Sequence, residues 1–278
     1  MSTFRERNDG KSRGEQGSER GRKPGWDPSR PRFKPKKEDA SGWVWGRHAV
    51  EAALLNPARS QEMRLMGTVD RLKELQPILN KHRKNLRPET VEAKQLTDKL
   101  PMGAVHQGVA LRVAPLDGVS IDELGENPQG VILMLDSVTD PQNVGAIFRS
   151  AAAFGARGVV MQDRNAPTLS GSLAKAAAGA VDRVPHARVT NLSRALEKLS
   201  DLGWRSVGLA GEAEQTLAEA LDGRPTVLVL GSEGEGMRRL VQEHCDALGR
   251  IPMPGKFESL NVSNAAAVAL YETVRRVE

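Results

Sequence analysis

The chain has 278 residues, 39% of them apolar, enough for about two domains on a soft prior of ~150 residues each. No apolar run approaches the ~18 residues of a membrane span, the N-terminus has no apolar signal core, and Cys245 is the single cysteine; these features exclude an intramolecular disulfide framework and lead us to expect a cytoplasmic protein with no membrane association. The net charge of +5 is uneven: residues 1–40 carry 12 Lys/Arg against 7 Asp/Glu, which leaves 28 of each sign in the remainder.

Residues 1–42 are rich in Gly, Ser and Pro, with Phe4, Trp26 and Phe33 almost alone as apolar side chains. Such a segment cannot bury enough surface to fold and is expected to be a disordered basic tail. Its cations, as in "RPRFKPKK", suit contact with RNA phosphates; a solubilising tail without a specific partner is the alternative. Residues 43–117 read as a small α/β domain. "GRHAVEAALLN" and "RLKELQPILNKH" have helical spacing, while "EMRLMG", "ETVEAK" and "GVALRVAPL" are short strand candidates. His106 and Gln107 form the unusual polar pair of this part, either a turn before a strand or an RNA contact. Pro115, Gly118 and "GENPQG" mark an exit, and residues 118–129 are expected to be a linker.

From residue 130 to 278 the rhythm changes. "VILML" (131–135) is apolar without alternation, as in a strand covered on both faces. The helix opened by "DPQNVGAIFRSAAAFGA" follows, then "RGVVMQ", the Ala-rich "SGSLAKAAAGAV", "LSRALEKLSDLG", "RSVGLA", "TVLVLG", "MRRLVQEHC" and "NAAAVALYETVRRV". Strands alternating with helices predict an α/β domain on a parallel sheet, which binds ligands outside the carboxyl ends of its strands.

Three loops stand at such ends. In "LDSVTDPQNVG", Pro141 fixes a turn, Asn143 is a candidate N-cap, Gly145 permits close approach, and Arg149 is a lone charge in an apolar helix. In "LGSEGEGMRR", Gly231, Gly234 and Gly236 let backbone N–H groups crowd a ligand, and Glu233 lies within the tight part. In "IPMPGKFESLNVSNAAA", Ser259, Asn261, Ser263 and Asn264 fall within six residues before a helix, where one cap needs only one residue. Each loop alone has an ordinary reading: a cap, a surface arginine with its stem on an apolar face, or a G-x-x-G-x-G turn that is not the dinucleotide pattern. The chain has no P-loop, no H-E-x-x-H, no paired cysteines and no G-x-S-x-G; Glu243, His244 and Cys245 are adjacent on one helix and would not face one metal ion, so no metal is expected.

Taken together and in this order, "LDSVTDPQNVGAIFRSAAAFGA", "LVLGSEGEGMR" and "IPMPGKFESLNVSNAAAVALYE" resemble the three signature motifs of the SpoU (TrmH-type) RNA ribose 2'-O-methyltransferases of the SPOUT class. More loosely, "WGRHAVEAAL" and "HQGVAL" resemble the small substrate-binding domain of the branch that methylates a guanosine of 23S ribosomal RNA. The resemblance implies a parallel-sheet SPOUT domain with a C-terminal trefoil knot, S-adenosyl-L-methionine as cofactor, and a homodimer with its active site at the dimer face. By motif position it implies cofactor contacts at Gly231, Ile251 and Leu260 and a catalytic set of Asn143, Arg149, Glu233, Ser259 and Asn261.

The implied reaction is attack of a ribose 2'-hydroxyl on a sulfonium methyl, which needs positioning and charge relief. The resemblance implies a general-base role for Arg149. A guanidinium stays protonated in proteins, so stabilising the developing alkoxide suits it better, with Glu233 orienting groups and a phosphate or water taking the proton. A tRNA ribose methyltransferase and a non-catalytic RNA-binding scaffold are the alternatives; the separate N-terminal domain favours ribosomal RNA, and the intact motif residues favour an enzyme.

Overall fold

The computed structural model describes residues 42–59, 62–255 and 259–275. The basic tail expected over 1–42 falls, Gly42 apart, outside the described residues.

The smaller sheet has four strands in the order β1 (Trp43–Trp45), β4 (Val109–Arg112), β2 (Arg64–Gly67), β3 (Glu89–Thr90). β4 pairs antiparallel with β1 and β2, whereas β3 joins β2 in parallel. Helices α1 (Arg47–Leu55) and α2 (Val69–His82) supply Ala49, Val50, Leu54, Leu72, Leu75 and Leu79 to its core, the last three at the helical spacing that the sequence displays. "ETVEAK" is strand only at its first two residues. Glu92 then forms a capping box with Gln95 and starts α3 (Ala93–Lys99), so local cap chemistry ends the strand.

Residues 118–129, expected as a linker, carry α4 (Ile121–Gly125). Ser120 caps it through the Glu123 N–H, and Ile121 and Leu124 are buried. The Trp204 indole N–H donates to the Gly125 carbonyl at 2.8 Å, so this stretch is packed against the body of the protein.

The larger sheet is all parallel, ordered β10 (Ala247–Gly249), β8 (Arg205–Leu209), β9 (Thr226–Leu230), β5 (Val131–Leu135), β6 (Gly158–Gln162), β7 (His186–Val189). The apolar run of β5 is explained by its burial on both faces: Leu133 and Leu135 enter one core, Ile132 and Met134 the other. The chain steps outward from β5 through β6 to β7, crosses to β8, and returns to place β9 against β5 with Leu135 beside Leu230. The order in which strands are added reverses between these two parallel strands, and two of the three motif loops leave from their adjacent carboxyl ends.

Helix α5 (Pro141–Ala153) buries Val144, Ile147, Phe148 and Ala151 in a single stripe. It packs on α6 (Gly171–Ala176) and on the last helix, α10 (Val262–Arg275). Close approach at Gly145 serves helix packing: a Cβ there would meet the Leu173 carbonyl at 2.7 Å and the Ala176 methyl at 2.6 Å. α6 also sends Ala174 into the core of the smaller sheet. The seam between the sheets carries a buried ion pair. Arg59 Nε donates to Asp182 Oδ1 at 2.5 Å and Nη2 to Oδ2 at 3.2 Å; Arg59 Nη1 meets the Ala114 carbonyl, and Asn56 Nδ2 also reaches Asp182.

Candidate active site

The first loop departs from expectation at its cap. Asp140, not Asn143, is the N-cap of α5: its carboxylate accepts from the Gln142 and Asn143 N–H groups, both at 3.2 Å, and Pro141 follows in the position where a missing N–H costs nothing. A carboxylate one residue before proline takes the role, which leaves the Asn143 side chain free for another.

That role is to join the motifs. Asn143 Nδ2 donates to Glu233 Oε1 at 3.0 Å, Asn261 Nδ2 donates to the same oxygen at 2.6 Å and to Asn143 Oδ1 at 2.9 Å, and the Val262 N–H adds a third donor to Glu233 at 3.2 Å. Asn261 works at both ends. Its Oδ1 accepts from the Ser263 N–H, the Ser263 hydroxyl and the Asn264 N–H, capping α10, while its amide nitrogen faces Glu233. One carboxylate oxygen and two amides therefore tie together three segments, Asn143 lying 90 residues from Glu233 and 118 from Asn261, and these two lying 28 apart.

The glycine loop is shaped by its own backbone. The Ser232 N–H donates to the Gly236 carbonyl at 3.1 Å and the Gly236 N–H returns to Ser232 at 3.0 Å, closing a tight loop that has Gly234 at φ 85° and Gly236 at φ 69°. The sequence suggests that Gly231 leaves room for a ligand. The structure gives a different reason: a Cβ at Gly231 would collide with the Gly236 carbonyl group and the Met237 nitrogen, so the loop must cross directly over it.

Beside this loop lies a cavity of ≈ 300 Å³. Gly231, Ile251 and Leu260 all line it, together with Glu233 and Ser259. Its opposite wall, Leu209 to Glu212 at the carboxyl end of β8, was not singled out by sequence, although a third strand end in a doubly wound sheet is a signal for it. Apolar Leu230, Met237, Ile251 and Met253 give it flat-sided apolar surface, and Glu212, Glu233 and Glu235 are its charged groups. Among the described residues no Lys, Arg or His lines it. Among the described residues a phosphate-bearing cofactor meets no balancing cation, whereas a sulfonium-containing, positively charged adenosyl compound meets apolar walls, backbone and carboxylates.

Arg149 is not brought into this cluster. It lies six residues beyond Asn143, and at ~100° per residue is turned about 240° round α5 from it. It is exposed and has no hydrogen-bond or ion-pair partner among the described residues. α10, packed beside α5, exposes Val268 and Tyr271, and the Tyr271 ring meets Phe154 edge-on at 6.4 Å. His106 proves to be part of a turn: its Nδ1 accepts from the Gly108 N–H at 3.1 Å, while Gln107, at φ 54°, accepts from Lys175 Nζ on α6 at 2.7 Å. No group of three metal-ligating side chains occurs among the described residues, and none of their helices is long and apolar enough to cross a membrane.

Comparison with known proteins agrees with this geometry. Residues 130–271 match the model of the SpoU rRNA Methylase family, and residues 43–118 match that of the RNA 2'-O ribose methyltransferase substrate-binding domain. The chain is 44% identical over 242 residues to a 23S rRNA (guanosine-2'-O-)-methyltransferase, RlmB, of Pasteurella multocida, covering 84% of this chain and 97% of that protein. It is 40% identical to the protein of the same name from Escherichia coli K12, covering 85% and 99%. The crystal structure of the SpoU methyltransferase AviRb from Streptomyces viridochromogenes with its cofactor AdoMet superposes with a TM-score of 0.68 at 25% identity, covering 84% of this chain and 89% of that one.

Proposed function

The chain belongs to the SpoU rRNA methylase family, and from that premise we propose that it methylates the ribose 2'-hydroxyl of a guanosine in 23S ribosomal RNA. It is an S-adenosylmethionine-dependent RNA 2'-O-methyltransferase. The observation that carries the reading is the cavity beside Gly231, whose described lining offers carboxylates, apolar surface and bare backbone but no cation.

The cofactor supplies an electrophilic methyl on a positively charged sulfur. Gly231, Ile251 and Leu260 would hold it, with neighbouring backbone of the glycine loop. Glu233, fixed by Asn143, Asn261 and the Val262 N–H, would orient the loop and offer negative charge to the positively charged cofactor. Ser259, on the cavity wall, shapes the approach to its methionine part. Arg149 would take the other reactant, pairing with the RNA phosphate and stabilising the developing alkoxide, with a phosphate or water accepting the hydroxyl proton while the cofactor supplies the methyl group.

Two copies would bring Arg149 to this chemistry. An exposed arginine without a partner among the described residues, on a helix that packs against α10 with its exposed Val268 and Tyr271, suits a homodimer whose active site lies at the face between copies. The C-terminal crossing suits a trefoil knot. β10 is at one edge of the sheet and α10 packs on α5, and of the described residues between them Ile251, Met253 and Leu260 line the cavity together with residues at the carboxyl ends of β8 and β9. We divide the chain into an RNA-contacting tail (1–42), a substrate-binding domain (43–117), a connecting stretch (118–129) and a methyltransferase domain (130–278), working on ribosomal RNA in the cytoplasm.

The test is a map of ribose methylation in ribosomal RNA from cells with and without the protein, followed by in vitro transfer from labelled S-adenosylmethionine. One guanosine of 23S RNA should lose its 2'-O-methyl group in the deletion strain and regain it with pure protein. An unchanged 23S map with a lost tRNA methylation would overturn the substrate; no change in any RNA would overturn the activity.

A further inference from the structure

The glycine loop has two stems, and one buried residue meets both. Asp136 follows β5 directly and is completely buried. Its N–H donates to the Leu230 carbonyl at 2.8 Å, immediately before Gly231 where the loop begins. Its carboxylate accepts from Arg238 where the loop ends: Oδ2 from the backbone N–H at 2.7 Å and Oδ1 from Nε at 2.8 Å. The Ser137 hydroxyl adds a further donor to Oδ1 at 3.2 Å. A buried carboxylate persists only when paired and hydrogen-bonded, and here that requirement is met by the segment carrying Glu233. Asp136 itself does not line the cavity.

We propose that Asp136 is a positioning residue for methyl transfer: it clasps both stems of the 231–238 loop, through Leu230 and Arg238, and so sets the loop backbone and Glu233 for the cofactor. The inference rests on the reading of the cavity as the cofactor site. An ionised carboxylate is required because two N–H donors converge on its two oxygens. An asparagine of the same size would satisfy one of them and oppose its own NH2 to the other. Arg238 contributes a backbone and a side-chain donor, so lysine at 238 would keep the charge and the backbone bond while losing the Nε geometry.

The experiment is calorimetric titration of the full chain with S-adenosylmethionine, comparing wild type, Asp136→Asn and Arg238→Lys, with KM for RNA measured alongside. The clasp predicts a cofactor Kd raised about tenfold or more in Asp136→Asn, a smaller rise in Arg238→Lys, and an unchanged KM for RNA. A purely structural role would lower the thermal midpoint and the binding stoichiometry but leave Kd of the folded fraction at the wild-type value; that result overturns the clasp. If Asp136→Asn does not fold, Arg238→Lys decides: a raised Kd supports the clasp and a wild-type Kd overturns it. A wild-type chain without affinity for S-adenosylmethionine would instead overturn the cofactor reading and the clasp with it.

Discussion

Around the cavity, the polar side chains of the three loops engage one another. Glu233 accepts three donors, Asn261 caps a helix while donating to two partners, and Asp136 holds both ends of the glycine loop. Elsewhere on α5, Arg149 is exposed without a partner among the described residues, and α10, which packs on α5, leaves Val268 and Tyr271 exposed. The same helix therefore borders a region that a single chain completes and a region that it leaves open. On the proposed function, the satisfied region would take the cofactor, and the open one would take the RNA and a second copy.

The largest effect should follow from Arg149→Ala. It removes charge stabilisation from the transfer step alone, so turnover should fall on the order of 10³-fold while the calorimetric affinity for S-adenosylmethionine stays at the wild-type value. A matching loss of cofactor affinity would erase the distinction between the two regions. Asp182→Ala probes the seam between the sheets, where it strands the buried Arg59 guanidinium. Removing one partner of a buried pair costs about 3 to 5 kcal/mol, to be read by denaturant unfolding; a change below ~1 kcal/mol would mean that the pair behaves as a surface contact.

Gly231→Val acts on the completed region. The collision with Gly236 and Met237 forces the loop open, and cofactor affinity should drop about a hundredfold, equivalent to ~2.7 kcal/mol, with the unfolding midpoint also lowered as the backbone gives way. Unchanged affinity would show that the crossing does not shape the cavity. The smallest effect is a pH dependence at His186, whose ring meets Phe148 of α5 edge-on at 6.5 Å. His186 is buried, its Nε2 has no partner among the described residues, and burial, reinforced by Arg188 and Arg59 and opposed by Asp117, pushes its pKa down to about 4. The unfolded chain binds this proton more tightly than the folded one. Stability from this residue is thus complete above about pH 6.5 and lost as pH falls toward 4, with about 2 kcal/mol gone by pH 5. Unfolding measured across that window should show the slope in wild type and lose it in His186→Phe.

Much of this was legible in the sequence because the parallel-sheet domain writes itself plainly. β5, β6 and β9 are apolar runs covered on both faces, and α2 and α5 keep their apolar residues on one stripe. β7 and β10 escaped notice: "HARV" and "ALG" are short edge strands, placed by pairing with neighbours and not by their own composition. α3, α4 and α8 (Leu217–Ala220) are short and depend on caps. At the site, motif position brought together Asn143, Glu233 and Asn261, and the cavity residues Gly231, Ile251, Leu260 and Ser259 share one wall. The purpose of Gly231, the cap at Asp140 and the bond from Asp136 to Arg238 were not legible, because each depends on a contact between segments distant in the chain or on which of several polar residues reaches an N–H first.

The central claim is that a second copy completes what one chain leaves open, and mixing two defective chains tests it most directly. Arg149→Ala retains an intact cavity, and Gly231→Val retains an intact arginine; co-expressed with different tags and purified as the mixed dimer, they form one site with both. If Arg149 serves the cavity of its neighbour, the mixed dimer methylates RNA although each parent dimer is inactive. If the mixed dimer is as inactive as its parents, Arg149 acts within its own chain and the account of an active site shared between copies is contradicted.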